Sequence, residues 1–115
     1  MSSLETQKTL DSTNELQITV TGRKTGRKYS TPIWFVREGD MVYLLPGGGF
    51  KSQWYKNAVR SKQIKISSGK FSLDLSPRPI TEPRMVMSIV DKFRKKYGET
   101  WYSGKFDVAV ELTLP

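Results

Sequence analysis

The chain has 115 residues, 37% hydrophobic and 26% charged, with 19 Lys+Arg against 11 Asp+Glu and a net charge of +8. That length suits one compact core and excludes a disordered composition. Cysteine and histidine are both absent, which excludes disulfides, thiolate and Ser-His-Asp nucleophile systems and ordinary zinc sites.

No apolar run approaches the roughly 20 residues that a membrane-spanning helix needs. Met1 to Asn14 is polar and lacks the apolar centre of a signal peptide. A cytoplasmic protein is therefore expected, with residues 1–15 as a loosely held arm or irregular helix and 16–115 as the folded domain. The positive charge favours anionic partners such as a phosphorylated small molecule, nucleic acid or an acidic membrane surface.

Leu16 to Thr21 alternates Leu16, Ile18 and Val20 with polar residues, the period of a half-buried strand. The following run, Gly22-Arg23-Lys24-Thr25-Gly26-Arg27-Lys28, puts two glycines and four cations in seven residues. Glycine permits unusual backbone angles and close approach of a ligand, and the cations supply donors for phosphate or carboxylate. It is not a Walker A loop, because only three residues separate Gly22 from Gly26. A solvated hairpin loop is the plain alternative.

Tyr29 to Arg37 is predicted as a second strand, with Pro32 marking an edge, a bulge or a ligand-facing position. Glu38-Gly39-Asp40 signals a turn, and the apolar run Met41 to Leu45 predicts a central strand. Pro46-Gly47-Gly48-Gly49 breaks it, and Ser52 is placed to cap a helix over Gln53 to Ser61. Strand, glycine-rich turn and helix N-terminus in that order recur at anion and cofactor sites, where free backbone N–H groups point outward.

Gln63 to Ser67 and Lys70 to Ser76 read as a hairpin, and Pro77 to Ile80 leads the chain out. Thr81 is placed to cap a helix with Glu82 and Pro83 in its first turn; its apolar face is Met85, Val86, Ile89, Val90, Phe93 and Tyr97, and it ends at Gly98. Phe106 to Thr113 alternates as a last strand, with Phe106, Val108, Val110 and Leu112 on one side and Asp107, Ala109, Glu111 and Thr113 on the other. The expected fold is mainly β with α: a six-stranded antiparallel split β-barrel with two flanking helices.

The ordered set Thr21-Gly22-Arg23-Lys24-Thr25-Gly26-Arg27, Pro32, Gly39-Asp40, Gly48-Gly49, Trp54-Tyr55 and Asn57 resembles the deazaflavin-dependent nitroreductase family of the split β-barrel flavin- and deazaflavin-binding superfamily. The match runs from Ile18 to Ile66; beyond it only the architecture corresponds. Tyr29 and Ser30 stand where relatives often carry a further basic residue, and Pro46 where many have a small hydroxyl residue.

The resemblance implies a coenzyme F-420-dependent oxidoreductase that passes a hydride to a small flat acceptor such as a quinone or nitroaromatic. The implied cofactor contacts are Gly22, Arg23, Lys24, Thr25, Arg27, Pro32, Gly47, Gly48, Gly49, Trp54 and Asn57, with Arg23, Lys24, Thr25 and Arg27 at the anionic tail and Gly47, Gly48, Gly49, Trp54 and Asn57 along the ring. Trp34, Trp101 and Tyr102 are expected to face the acceptor, with a proton coming from solvent or from Tyr102. No metal is implied, and the chain acts alone or paired as a homodimer. The alternatives are an FMN-binding split-barrel protein or flavin carrier and, from another class, a basic β-rich nucleic-acid-binding module.

Overall fold

The computed structural model describes residues 3–98 and 106–115. They form three α-helices and eight strands, not two helices and six strands. The first sheet has the order β2-β1-β5-β6, built from β1 (Leu16–Thr21), β2 (Lys28–Ile33), β5 (Ile64–Ser68) and β6 (Phe71–Leu75). The second has the order β3-β4-β8-β7, built from β3 (Val36–Glu38), β4 (Met41–Leu44), β7 (Arg78–Ile80) and β8 (Ala109–Thr113). All neighbouring strands are antiparallel. Among the described residues the two sheets do not close into one barrel.

Inward residues of both sheets make the main core: Leu16, Ile18, Ile64 and Ile66 meet Val42, Leu44, Val110 and Leu112, joined by Tyr55 and Ala58 of helix α2 (Gln53–Ser61). Each such buried aliphatic contributes about 1.5–3 kcal/mol. Helix α3 (Pro83–Tyr97) covers the other face of the second sheet with Val86, Ile89, Val90 and Phe93, against Val36, Leu45, Ile80 and Ala109. Strand β8 is therefore buried on both faces, from Ala109 through Leu112. The expected alternation with Ala109 and Glu111 outward does not hold, because α3 lies over that side.

Three further segments differ from the sequence expectation. The span 29–37 is two strands in different sheets, parted at Trp34 and Phe35. Residues 78–80 are a strand, tolerated despite its proline because β7 is at the sheet edge. The N-terminal segment contains helix α1 (Ser3–Asp11), whose Leu10 is fully buried in the main core. Arg37 ties α1 to β3 through two bonds to Asp11, Nε to Oδ1 at 2.7 Å and Nη2 to Oδ2 at 2.8 Å. No helix among the described residues is long and apolar enough to cross a membrane.

Other elements follow their local signals. The Ser52 hydroxyl accepts from the Tyr55 N–H at the start of α2, and the Glu82 carboxylate accepts from the Arg84 and Met85 N–H groups at the start of α3. Glu82 thus takes the cap position that Thr81 was expected to fill. Gly39, at φ 61°, makes the turn between β3 and β4. Pro32 stands on edge strand β2 opposite Gln17.

Candidate functional site

The basic loop closes the β1–β2 hairpin compactly. The Gly22 N–H donates to the Arg27 carbonyl at 2.7 Å, and the Gly26 N–H to the Gly22 carbonyl at 2.9 Å. Gly26 has φ 72°, a left-handed angle that glycine adopts without a Cβ clash. Gly22 lies under the Tyr29 ring: a Cβ added there would come within 2.5 Å of Tyr29 Cε2. The Tyr29 hydroxyl is 3.1 Å from Thr25 Oγ1, and Lys28 Nζ donates to Thr21 Oγ1 at 2.8 Å.

Arg23 turns inward onto α2. Its Nη1 donates to Asn57 Oδ1 at 2.7 Å, its Nη2 to Gln53 Oε1 at 3.0 Å, and its main-chain N–H to Asn57 Oδ1 at 3.1 Å. Asn57 is buried, and its Oδ1 accepts both of these Arg23 bonds. Residues 53 and 57 are one helical turn apart and share a face of α2.

Because β2 is an edge strand, the side chains it turns toward the core side, Tyr29, Thr31 and Ile33, are only partly covered. A cleft of about 390 Å³ opens there between β2 and α2. Gly22, Arg23, Lys24 and Thr25 bound it on the loop side, and Gln53, Trp54 and Asn57 on the helix side. A second cleft of about 350 Å³ is lined by Thr31, Pro32, Trp34, Gly47, Trp54 and Phe106, among others. The clefts adjoin at Thr31 and Trp54, which line both. Their volumes fall in the roughly 300–1,000 Å³ range of small-molecule sites.

The predicted site residues thus divide. Gly22, Arg23, Lys24, Thr25 and Asn57 line the first cleft, Pro32, Trp34 and Gly47 the second, and Trp54 both. Arg27 is exposed and outside both linings. Gly48 and Gly49 lie in the turn into α2, again outside them; Gly49 packs so tightly on Asp107 that an added Cβ would overlap its carboxylate, 1.9 Å from Oδ1. The Asp107 carboxylate also accepts from the Phe50 N–H at 3.2 Å. Trp101 and Tyr102 lie outside the described residues.

Sequence reasoning missed two contributors, Gln53 and Tyr97. Tyr97 stacks on Trp34 with centroids 4.1 Å apart and planes at 15°. Its hydroxyl accepts from the Phe35 N–H at 3.1 Å and lies 2.7 Å from the Asn14 carbonyl and 2.8 Å from that of Phe35. Lys96 Nζ donates to the same Phe35 carbonyl at 2.9 Å and sits 3.7 Å over the Phe35 ring. Burial pushes the Tyr97 phenol above its usual range and the Lys96 ammonium below its own. The last turn of α3 therefore satisfies the backbone where the chain passes from one sheet to the other, and sets the Trp34 ring in the second cleft. Only Tyr97's place on the apolar face of α3 hinted at this in the sequence.

Similar solved structures share this fold. The structure described as "F420-H2 Dependent Reductase (FDR-A)" has a TM-score of 0.68 at 18% identity, covering 86% of this chain and 93% of that one. The conserved hypothetical protein Rv2991 from Mycobacterium tuberculosis has a TM-score of 0.77 at 16% identity, covering 99% and 81%. A putative pyridoxamine 5'-phosphate oxidase from Listeria innocua has a TM-score of 0.74 at 11% identity, covering 96% and 91%. The class is a mixed α/β, split-barrel-like fold of two four-stranded antiparallel sheets. Residues 6–110 match the family model described as "Uncharacterized protein conserved in bacteria (DUF2255)", and the chain belongs to that family.

Proposed function

We propose that this protein is an oxidoreductase that binds a deazaflavin, coenzyme F-420, and passes a hydride to a small flat acceptor such as a quinone or nitroaromatic. The observation that carries this reading is the pair of adjoining clefts, one bounded by Arg23, Lys24 and Thr25, the other by Trp34 and Gly47, with Trp54 and Thr31 between them. A tailed ring needs both halves: cations for its anionic tail and an aromatic, open-walled slot for its ring. Gly47 suits the second role, since an added Cβ there would project into open space, with nothing within 4 Å. The likeness of the fold to that of an F420-H2 dependent reductase supports the choice of cofactor.

When bound, the reduced cofactor supplies the hydride. The chain then needs neither histidine nor cysteine. Arg23 and Lys24 bind the tail, Trp54 separates tail from ring, and Trp34, fixed by Tyr97, offers a flat wall to the acceptor. Arg27 adds charge at the rim. The fold's likeness to that of a FAD-binding protein from Mesorhizobium loti, TM-score 0.67 at 15% identity, makes a flavin the second reading.

Fluorescence titration with coenzyme F-420 and with FMN tests both. Micromolar binding of F-420 is expected, weakened more than tenfold in the Arg23→Ala/Lys24→Ala double variant, since each lost charged hydrogen bond costs about 1.5–3 kcal/mol. Preference for FMN would replace the first reading by the second. Failure of both cofactors to bind would overturn the proposal.

A further inference from the structure

Arg37, Arg78 and Arg94 each meet a carboxylate, on Asp11, Glu111 and Asp91. Arg23 does not. Its guanidinium is held by two neutral amide oxygens, Asn57 Oδ1 at 2.7 Å and Gln53 Oε1 at 3.0 Å, set one turn apart on α2. Amide oxygens fix the orientation of a guanidinium without cancelling its charge. Two of its five N–H donors are spent in this way, and the remainder belong to a group that lines the 390 Å³ cleft. Among the described residues no acidic side chain is in that lining, whereas Lys24 is. The lining charge of two cations matches a phosphate monoester, which carries about −1.5 to −2 at neutral pH.

We propose that Gln53 and Asn57 are positioning residues that hold Arg23 as a preorganised, uncompensated cation for a phosphate group in this cleft. The inference rests on the cofactor-cleft reading for where a ligand sits, and not for which ring it carries. Preorganisation matters because a long basic side chain loses rotamer freedom when it is ordered by a ligand; here the ordering precedes binding. The rival account is a latch that merely fastens the loop to α2.

The Gln53→Glu substitution separates the two accounts. A latch gains an ion pair from it. A phosphate site loses its cation and acquires a repelling carboxylate. Gln53 is exposed, so folding tolerates the exchange. The probe is inorganic pyrophosphate, titrated calorimetrically into the wild type, Gln53→Glu, Gln53→Ala and Arg23→Lys, with thermal unfolding of each in parallel.

The wild type is expected to bind pyrophosphate with an affinity that falls as salt rises. Gln53→Glu should melt at or above the wild-type temperature yet bind at least tenfold more weakly. Gln53→Ala should bind a few-fold more weakly, and Arg23→Lys should lose affinity because an ammonium cannot replace the guanidinium fork. Binding by Gln53→Glu within twofold of wild type overturns the inference, as does a wild type that ignores pyrophosphate. If pyrophosphate behaves as expected while neither F-420 nor FMN binds, the positioning role stands and the cofactor assignment falls. If a cofactor binds and Gln53→Glu holds it as well as wild type does, the reverse is true.

Discussion

Replacing Tyr97 by Phe removes one hydroxyl and leaves the ring that stacks on Trp34. Phe35 is fully buried, so its N–H, which donates to that hydroxyl at 3.1 Å, is left without an acceptor. The Phe35 carbonyl keeps Lys96 Nζ at 2.9 Å, so the penalty falls on the N–H. A buried unsatisfied donor costs about 1–3 kcal/mol; about 2 kcal/mol is expected, equivalent to a fall in Tm of roughly 8 °C for a chain of this size. Tyr97→Leu also forfeits the 4.1 Å stack on Trp34, adding about 0.5–1.5 kcal/mol. Urea unfolding followed by circular dichroism reads both, as a shift in midpoint at constant slope. A Tyr97→Phe variant within about 0.5 kcal/mol of wild type, smaller than any lost buried hydrogen bond should give, would refute the assignment of this hydroxyl as the support of the strand break.

In Gly22→Ala, the new Cβ meets Tyr29 Cε2 at 2.5 Å and the Arg27 carbonyl at 3.3 Å. The Tyr29 ring can swing outward, so a loss of about 1 kcal/mol is expected, largely recovered in the Gly22→Ala/Tyr29→Ala double variant by the same unfolding assay. Acid titration of stability should show the Asp11–Arg37 contact. The hydrogen bond from Arg37 holds the Asp11 carboxyl below its usual range. A depressed folded pKa means that the stabilisation is full above the ordinary carboxylate pKa and is lost as pH falls through the folded value. The wild type should therefore exceed Asp11→Asn by a constant margin above the ordinary carboxylate range and converge with it only once the pH has fallen through the lowered folded value; the carboxylate is more than half exposed, which keeps that margin small. A margin that grew on acidification would contradict the assignment.

The elements most legible in the sequence carry their own local signals. Strand Leu16–Thr21 has its alternation, and helix Gln53–Ser61 has Ser52 before it and a polar face opposite Tyr55 and Ala58. The illegible parts depend on partners distant in the chain. The break at Trp34 and Phe35 exists because Lys96 and Tyr97 satisfy Phe35 from more than sixty positions away. Strand Arg78–Ile80 was hidden by Pro77 and Pro79, which an edge strand accepts. The double burial of Ala109–Leu112 reflects cover by α3, which no pattern within those residues records. At the site, the cationic loop and Trp54 were visible as types and spacings. That Arg23 would meet Asn57 and Gln53, while Arg27 and Gly49 stood apart, required the fold.

Pro32 has a bearing on assembly. The bond from the Gly22 N–H to the Arg27 carbonyl sets the ladder phase, so the main-chain N positions of residues 28, 30 and 32 face away from β1. Proline at 32 deletes one of those three outward donors, and the charged Lys28 guards another. A strand from a second molecule laid along β2 would find an interrupted row, so growth of a continuous intermolecular sheet from this edge is opposed. Two copies that associate find no continuous ladder along β2, which leaves the open mouth beneath that strand accessible to small molecules instead of to another backbone.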